Sequence, residues 1–401
     1  MHSIAHSFAD VDVGDRPDAR LFPGVLLALL ACLPIAGTLL VAQILPQMEA
    51  AFPGTPDLRA RVSIALTIPA LVIALCSWGT GWVADRAGRR RLLIGSLFFY
   101  AAFGLAPLFL QSLDAIIASR AAMGVAEGVI MTCSTALIGD LYAGARRERL
   151  LSLQTACASM AAVFFAIIGG VLGNLGWRAP FLVYGIALLV LPLVVAWIPA
   201  DRPVERPSGR RVAAEADRLP LAPLLAICGA TLVMSLAFYA GQIQAPFLLN
   251  AIHAVPPSTV GLVSALANAA VVAGTACFPL VRRFPLRATS IATFACLAAG
   301  LAIAAAATSH MVVALGLMLA GFAGGVALPT LLNGAMGLLS FRQRGQGTGL
   351  WQSSFWAGQF ASPILVILLT GVSGTLPSAI LLFALGALCI GGLLALLLPH
   401  R

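Results

Sequence analysis

Long apolar runs, separated by short polar stretches, recur from one end of this chain to the other. A helix needs roughly 20 predominantly apolar residues to cross a bilayer. Twelve such runs can be placed, at residues 22–44, 62–84, 92–110, 113–138, 150–173 and 179–198, then 221–248, 258–280, 288–308, 311–339, 347–370 and 377–398. Between the sixth and seventh lies the one long polar segment, Pro199 to Pro220, with five arginines among four acids. The pattern predicts an all-α membrane protein of twelve transmembrane helices in two pseudo-symmetric six-helix bundles. On that reading a tail occupies 1–21, the N-terminal bundle 22–198, a linker 199–220 and the C-terminal bundle 221–398.

Composition agrees. Sixty per cent of the 401 residues are hydrophobic and only 10% are charged, and the mean hydropathy is +0.98. A soluble globular protein of this size needs far more polar surface. Residues 1–21 carry four Asp and two Arg without the apolar core of a signal peptide, and read as a polar cytoplasmic tail. The net charge of +9 comes from 24 arginines and no lysine. These lie in loops between apolar runs, which points to membrane topology and away from nucleic acid. With both ends cytoplasmic, 20 arginines fall in inside segments, three (Arg59, Arg61, Arg178) fall outside, and Arg120 lies within a span. That bias predicts a multi-pass membrane protein with both termini in the cytoplasm. The eight cysteines show no metal-ligand spacing and are expected to be free thiols; no metal site and no cofactor is expected.

The most polar turn of the first half, Gly79 to Leu93, reads GTGWVADRAGRRRLL. Gly88 can take the positive φ of a tight reversal, and Arg89 to Arg91 start the next helix on the wet side. Gly81, Asp85, Arg86, Gly88, Arg89 and Arg90 fit the pattern G-x-x-x-D-R-x-G-R-R, and the stretch resembles the cytoplasmic loop signature of the major facilitator superfamily. The second-half loop RRFPLR lacks the Asp and Gly of the first. The halves echo each other weakly elsewhere, Gly79-Thr80 recurring as Gly274-Thr275 at an offset of 195. Such a repeat fits two bundles related about the membrane normal, with the site between them.

Intramembrane acids are costly and mark functional sites. The last acid of the chain is Asp217, so the second bundle has no carboxylate, and in the first only Glu127 lies deep. Arg120 and Glu127 are seven residues apart, on one helical face and about 10.5 Å apart along the axis. Both are expected to point into one cavity. Glu127 is the candidate proton-coupling and substrate-binding carboxylate; the alternative is a satisfied Glu holding neighbouring helices together. Arg120 and Gly124 match the family's fourth-span motif R-x-x-x-G, and the resemblance implies a part in proton transfer for Arg120. Asp140 ends the fourth span where the family has an acid that pairs with loop arginines. Asp85 would face the start of the eleventh span, whose helix N-terminus attracts negative charge. Gly81, Asp85, Arg86, Gly88, Arg89, Arg90 and Asp140 are therefore gating candidates, with orientation of the spans as the alternative role.

In the second bundle the polar candidates for the substrate site are Tyr239, Gln242, Gln244, Asn268, Asn333, Gln352 and Gln359, with Trp351, Phe355 and Trp356 adding aromatic area. In this family the first, fourth, seventh and tenth spans line the cavity, so the resemblance favours Gln242 and Asn333. The fifth-span element G-P-x-x-G-G of drug antiporters is only half kept in FAIIGGVLG, Phe165 to Gly173. Compactness and the segment LPQMEAAF (Leu45 to Phe52) look like the twelve-span bacterial drug:proton antiporter type. The expected function is secondary active transport by alternating access, not an enzyme: proton-coupled efflux of a small amphipathic or cationic compound. Proton-linked uptake of a small metabolite is the alternative, and a transporter-like membrane sensor a third. The expected partners are a small-molecule substrate, protons and the lipid bilayer, for a chain acting as a monomer without nucleic acid.

Overall fold

The computed structural model describes residues 21–200, 220–340 and 343–397, with backbone alone at 77, 78, 82, 85, 344 and 345. Among these residues all regular structure is helical, and twelve spans are long and apolar enough to cross a membrane. The first span is Leu21–Ala42; the second lies in the helix Leu58–Ala87; the third is Arg89–Leu108, the fourth Leu113–Leu141, the fifth Gly144–Gly173 and the sixth Ala179–Trp197. The seventh to tenth are Leu221–Ile252, Pro257–Ala276, Leu286–Ala305 and His310–Leu338. The eleventh lies in the helix Arg344–Ser373, and the twelfth is Leu376–Leu396. The tail expected over 1–21 and the linker expected over 199–220 fall almost wholly outside the described residues.

The helices overrun several apolar runs. The fifth begins at Gly144, six residues before its run, because RRERLL stays helical after it leaves the apolar layer. Polarity limits what lipid can cover; it does not end a helix. The eighth stops at Ala276, four residues short, where Pro279 cannot supply the next backbone donor. The second helix ends at Gly88, whose φ of 90° is open to glycine and strained for other residues. Hydroxyl caps start other spans: Ser112 accepts from the Ala115 N–H and Ser309 from the Val312 N–H. The first span is two helices, Leu21–Leu30 and Cys32–Ala42, interrupted at Ala31. Pro34 lacks the N–H that would have bonded the Leu30 carbonyl.

Two hydrophobic cores result, one built almost entirely from residues 26–198 and one from residues 224–395. One face of the molecule, the basic end, carries the turn at Gly88 and the segment 282–285. At the opposite, far end the halves lock together. Gly170 of the fifth span lies against Gly261 and the Pro257 carbonyl of the eighth, so tightly that a Cβ at either glycine would enter backbone. Asn174 Oδ1 accepts from the Ser258 N–H, and the Arg59 guanidinium sits 4.4 Å from the Phe247 ring. Deeper, Ser264 donates to Gln43 Oε1 at 3.2 Å and Gln359 donates to Thr38 at 3.0 Å. Near mid-depth Ser353 donates to the Ala74 carbonyl, the second span running along the eleventh. These bridges run from mid-depth to the far end.

Candidate functional site

Below those bridges a cavity of about 940 Å³ lies between the halves and reaches the basic end. Its first-half wall is Pro34 and Ile35 beside the Ala31 break, with Gly128, Thr132 and Thr135 one helical face further down the fourth span. Tyr239, Phe355 and Trp356 make the opposite wall. The Tyr239 and Phe355 rings are 5.8 Å apart, and Phe355 meets Trp356 edge-on at 5.4 Å. Gln154 donates to Ser134 and accepts from Thr135, each at 3.3 Å, which fixes a polar patch on the wall.

Three charges stand at the mouth. Arg89 donates to both oxygens of Asp140 at 2.6 Å, joining the third span to the fourth. Arg147 lines the same mouth and has no acid partner among the described residues. Among the described residues Asp140 is thus the only carboxylate lining the cavity and is held by Arg89, which leaves one positive charge, that of Arg147, in excess. Arg90 turns the other way and donates to the Val195 and Ile198 carbonyls, tying the loop to the end of the sixth span. Gly81 has no atom near the place of a Cβ. Arg86 lies in the same loop, and the side chain of Asp85 lies outside the described residues.

The buried charges are elsewhere. Arg120 is 1% exposed and Glu127 2%, both inside the first half. The Arg120 guanidinium donates to the Gly37 carbonyl and to Tyr184 Oη (2.9 Å), and its Nε donates to the Ala65 carbonyl at 3.3 Å. Tyr184 also donates to the Gly37 carbonyl, while Tyr100 donates to the Leu33 carbonyl at 2.6 Å. Glu127 presses Oε1 against Gly37 where a Cβ would stand, and that oxygen has no hydrogen-bond partner among the described residues. Gly37 is therefore the meeting point of the two buried side chains. The expectation that Arg120 and Glu127 face the cavity is corrected: their shared helical face turns toward the first, second, third and sixth spans, where carbonyls and the Tyr184 phenol satisfy the guanidinium. The opposite edge, through Gly128 and Thr132, meets the cavity.

The second-half candidates scatter. Tyr239 and Gln352 line the cavity. Trp351 is buried against the second core, stacked on Phe355 with its Nε1 unpartnered. Asn268 donates back to the Ser264 carbonyl at 2.8 Å, satisfying its own helix. Gln242 is half-buried on the seventh span beside Gln244, which is buried with neither amide atom bonded. Asn333 faces a separate cleft beside Arg282. Sequence reasoning passed over Gly37, Tyr100, Tyr184 and Arg147. The tyrosines had a signal, since only four occur in the chain; Gly37 had none. All eight cysteines are free.

A twelve-span helical chain with a cavity between two halves, closed at one end and open at the other, has the architecture of a membrane transporter. The Major Facilitator Superfamily model matches residues 26–251, more than half of the chain, and the protein belongs to that family. It is 29% identical over 171 residues to the 3-(3-hydroxy-phenyl)propionate transporter of Escherichia coli K12, covering 42% of this chain and 41% of that one. It is 34% identical over 134 residues to the multidrug efflux pump LfrA of Mycolicibacterium smegmatis, covering 33% of this chain and 25% of that one. The matched stretches thus span less than half of either relative. Among solved structures, a bacterial homolog of the human lysosomal transporter Spinster, in its inward-facing and occupied conformation, superimposes with a TM-score of 0.78 at 15% identity. That match covers 96% of this chain and 97% of the other and speaks to the fold alone.

Proposed function

We propose that this transporter carries a small amphipathic organic anion, by alternating access of its two halves, with proton movement through Glu127 and Arg120. The observation that carries the reading is the charge of the cavity. Its aromatic wall of Tyr239, Phe355 and Trp356 suits a flat apolar body, and the unpaired Arg147 suits a carboxylate. A cation would meet one acid there, already held by Arg89. The name of the Escherichia coli relative, a transporter of an aromatic acid, points the same way. This reading turns the expected direction from efflux toward proton-linked uptake across a bacterial inner membrane, with the basic end in the cytoplasm.

Efflux of an amphipathic drug remains the second reading, favoured by the likeness to LfrA and by an aromatic wall that would also suit a planar cation. Proteoliposomes carrying an internal pH dye separate the two. Aromatic acids, a lipophilic cationic dye and a sugar would be added in turn. Proton entry together with an aromatic acid is the expected outcome. Proton exit driven only by the cation would overturn the reading, and ligand binding without any flux would mark a sensor.

A further inference from the structure

Two clefts open on the lipid side of the second half, away from the central cavity. One, of about 410 Å³, is a groove between the ninth and tenth spans lined by Ala288, Ala292, Cys296, Phe322 and Val326. The other, of about 390 Å³, holds Arg282, Asn333 and Thr330. They share Val281, Phe284 and Thr289, so they are one continuous surface, apolar at one end and polar at the other.

The cause of the groove is visible in the helices. The ninth and tenth spans touch backbone to backbone at Gly300 and Gly316, where a Cβ on either would strike the other helix. Toward the basic end the groove opens between them, from Cys296 and Phe322 to Ala288 and Val326. Ala288, Ala292 and Cys296 lie on one face of the ninth span, so the groove extends about 12 Å along it. A hydrocarbon leaflet is about 15 Å deep. The groove therefore runs from the headgroup level at the basic end to near mid-membrane.

The polar end has no internal counter-ion. No carboxylate occurs after Asp217. Arg282 forms no ion pair, and the exposed Asn333 amide makes no hydrogen bond, among the described residues. Beside them Phe284 is 55% exposed and Leu280 61%, apolar surface at the level where headgroups meet chains. Arg283 lies over the Phe284 ring at 5.3 Å, adding a second positive charge.

We propose that the two clefts form one binding site for an anionic phospholipid. An acyl chain lies in the groove, the phosphate meets Arg282, and the Asn333 amide bonds the headgroup oxygens. The site is independent of the substrate reading, because it shares no residue with the central cavity.

The test is native mass spectrometry of the full chain in detergent, titrated with dioleoyl phosphatidylglycerol or dioleoyl phosphatidylcholine. Phosphatidylglycerol should bind more tightly, with Arg282→Gln removing roughly fivefold of its affinity, the effect of one arginine near a lipid surface, and leaving phosphatidylcholine unchanged. Ala292→Phe, on an exposed position of the ninth span, should fill the groove and weaken both lipids. Equal binding of the two lipids by the wild type would overturn the proposal, as would full binding by both variants. Equal competition by glycerol phosphate would reassign the polar end to a soluble phosphate, and displacement by a transported aromatic acid would reassign the groove to substrate. If Arg282→Gln does not fold, the Ala292→Phe arm decides alone.

Discussion

Within the first half a guanidinium and a carboxylate are buried on one helical face, whereas the second half buries only amides, hydroxyls and thiols among the described residues. Arg120 is satisfied by the Gly37 and Ala65 carbonyls and Tyr184. Gln244 is buried to the same degree and satisfied by none. The contrast teaches what burial alone cannot: a polar group sunk in a bundle is structural where partners have been built around it, and in reserve where they have not. The first half is the one assembled around a charge.

Substitution at Arg120 gives the largest expected effect, with substitution at Gln244 as its counterpart. Arg120→Leu should destabilise the purified protein by about 3 kcal/mol or more, because it strands Glu127 beside unpaired carbonyls. Gln244→Leu should be neutral or stabilising, since it removes an amide that bonds nothing. Thermal unfolding in detergent measures both, and equal losses would erase the contrast. Glu127→Gln comes next: it should keep the fold, having almost the same shape against Gly37, while proton-linked flux in proteoliposomes falls to background. Undiminished flux would leave Glu127 a packing residue.

A smaller effect is expected at the far end. Burial pushes the Glu49 carboxyl up from its ordinary value of 4.5, and the Arg59 guanidinium draws it back less strongly. The closed form thus favours the protonated acid. Its stabilisation is lost as the pH rises from that ordinary value through the raised one, so raising the pH through that window should loosen the far end. Hydrogen exchange over residues 45–61 should quicken with pH beyond its intrinsic dependence in the wild type, and not in Glu49→Gln. Smallest is Arg89→Gln. The partly exposed Arg89–Asp140 pair should contribute under about 1 kcal/mol, so its loss should change the rate of transport more than the unfolding temperature.

Much of this architecture can be read from the chain, for physical reasons. Lipid tolerates no unpaired backbone, so a run of twenty apolar residues has one available structure, and all twelve runs became spans. That Asp140 would meet a loop arginine was also legible, through the resemblance to the family's loop signature, and Arg89 is the one it meets. The cavity was harder. Whether Glu127 turns inward or toward the cavity depends on a rotation of the fourth span that its nearly uniform apolar surface does not encode. That rotation is set by Gly37 and Gly124, which let neighbouring backbones close in. Asn333 and Asn268 failed to converge on the cavity for a related reason: a lone amide on an apolar helix carries no information about which neighbour it meets.

The absence of carboxylates after Asp217 has an electrical consequence. The membrane voltage does work only on charges that lie within its field, about 2.3 kcal/mol for each full charge carried across 100 mV. Among the described residues, Arg282, Arg283 and Arg287 of the second half lie at or just beyond helix ends, outside most of the voltage drop. In the first half Arg120 and an ionised Glu127 cancel, and protonating Glu127 leaves one net positive charge in the field. Transport currents should therefore steepen with voltage when the protonated step limits the rate, and grow less steep as the pH rises and the charge of Glu127 cancels that of Arg120. One half of the molecule carries the voltmeter, and the other is electrically silent.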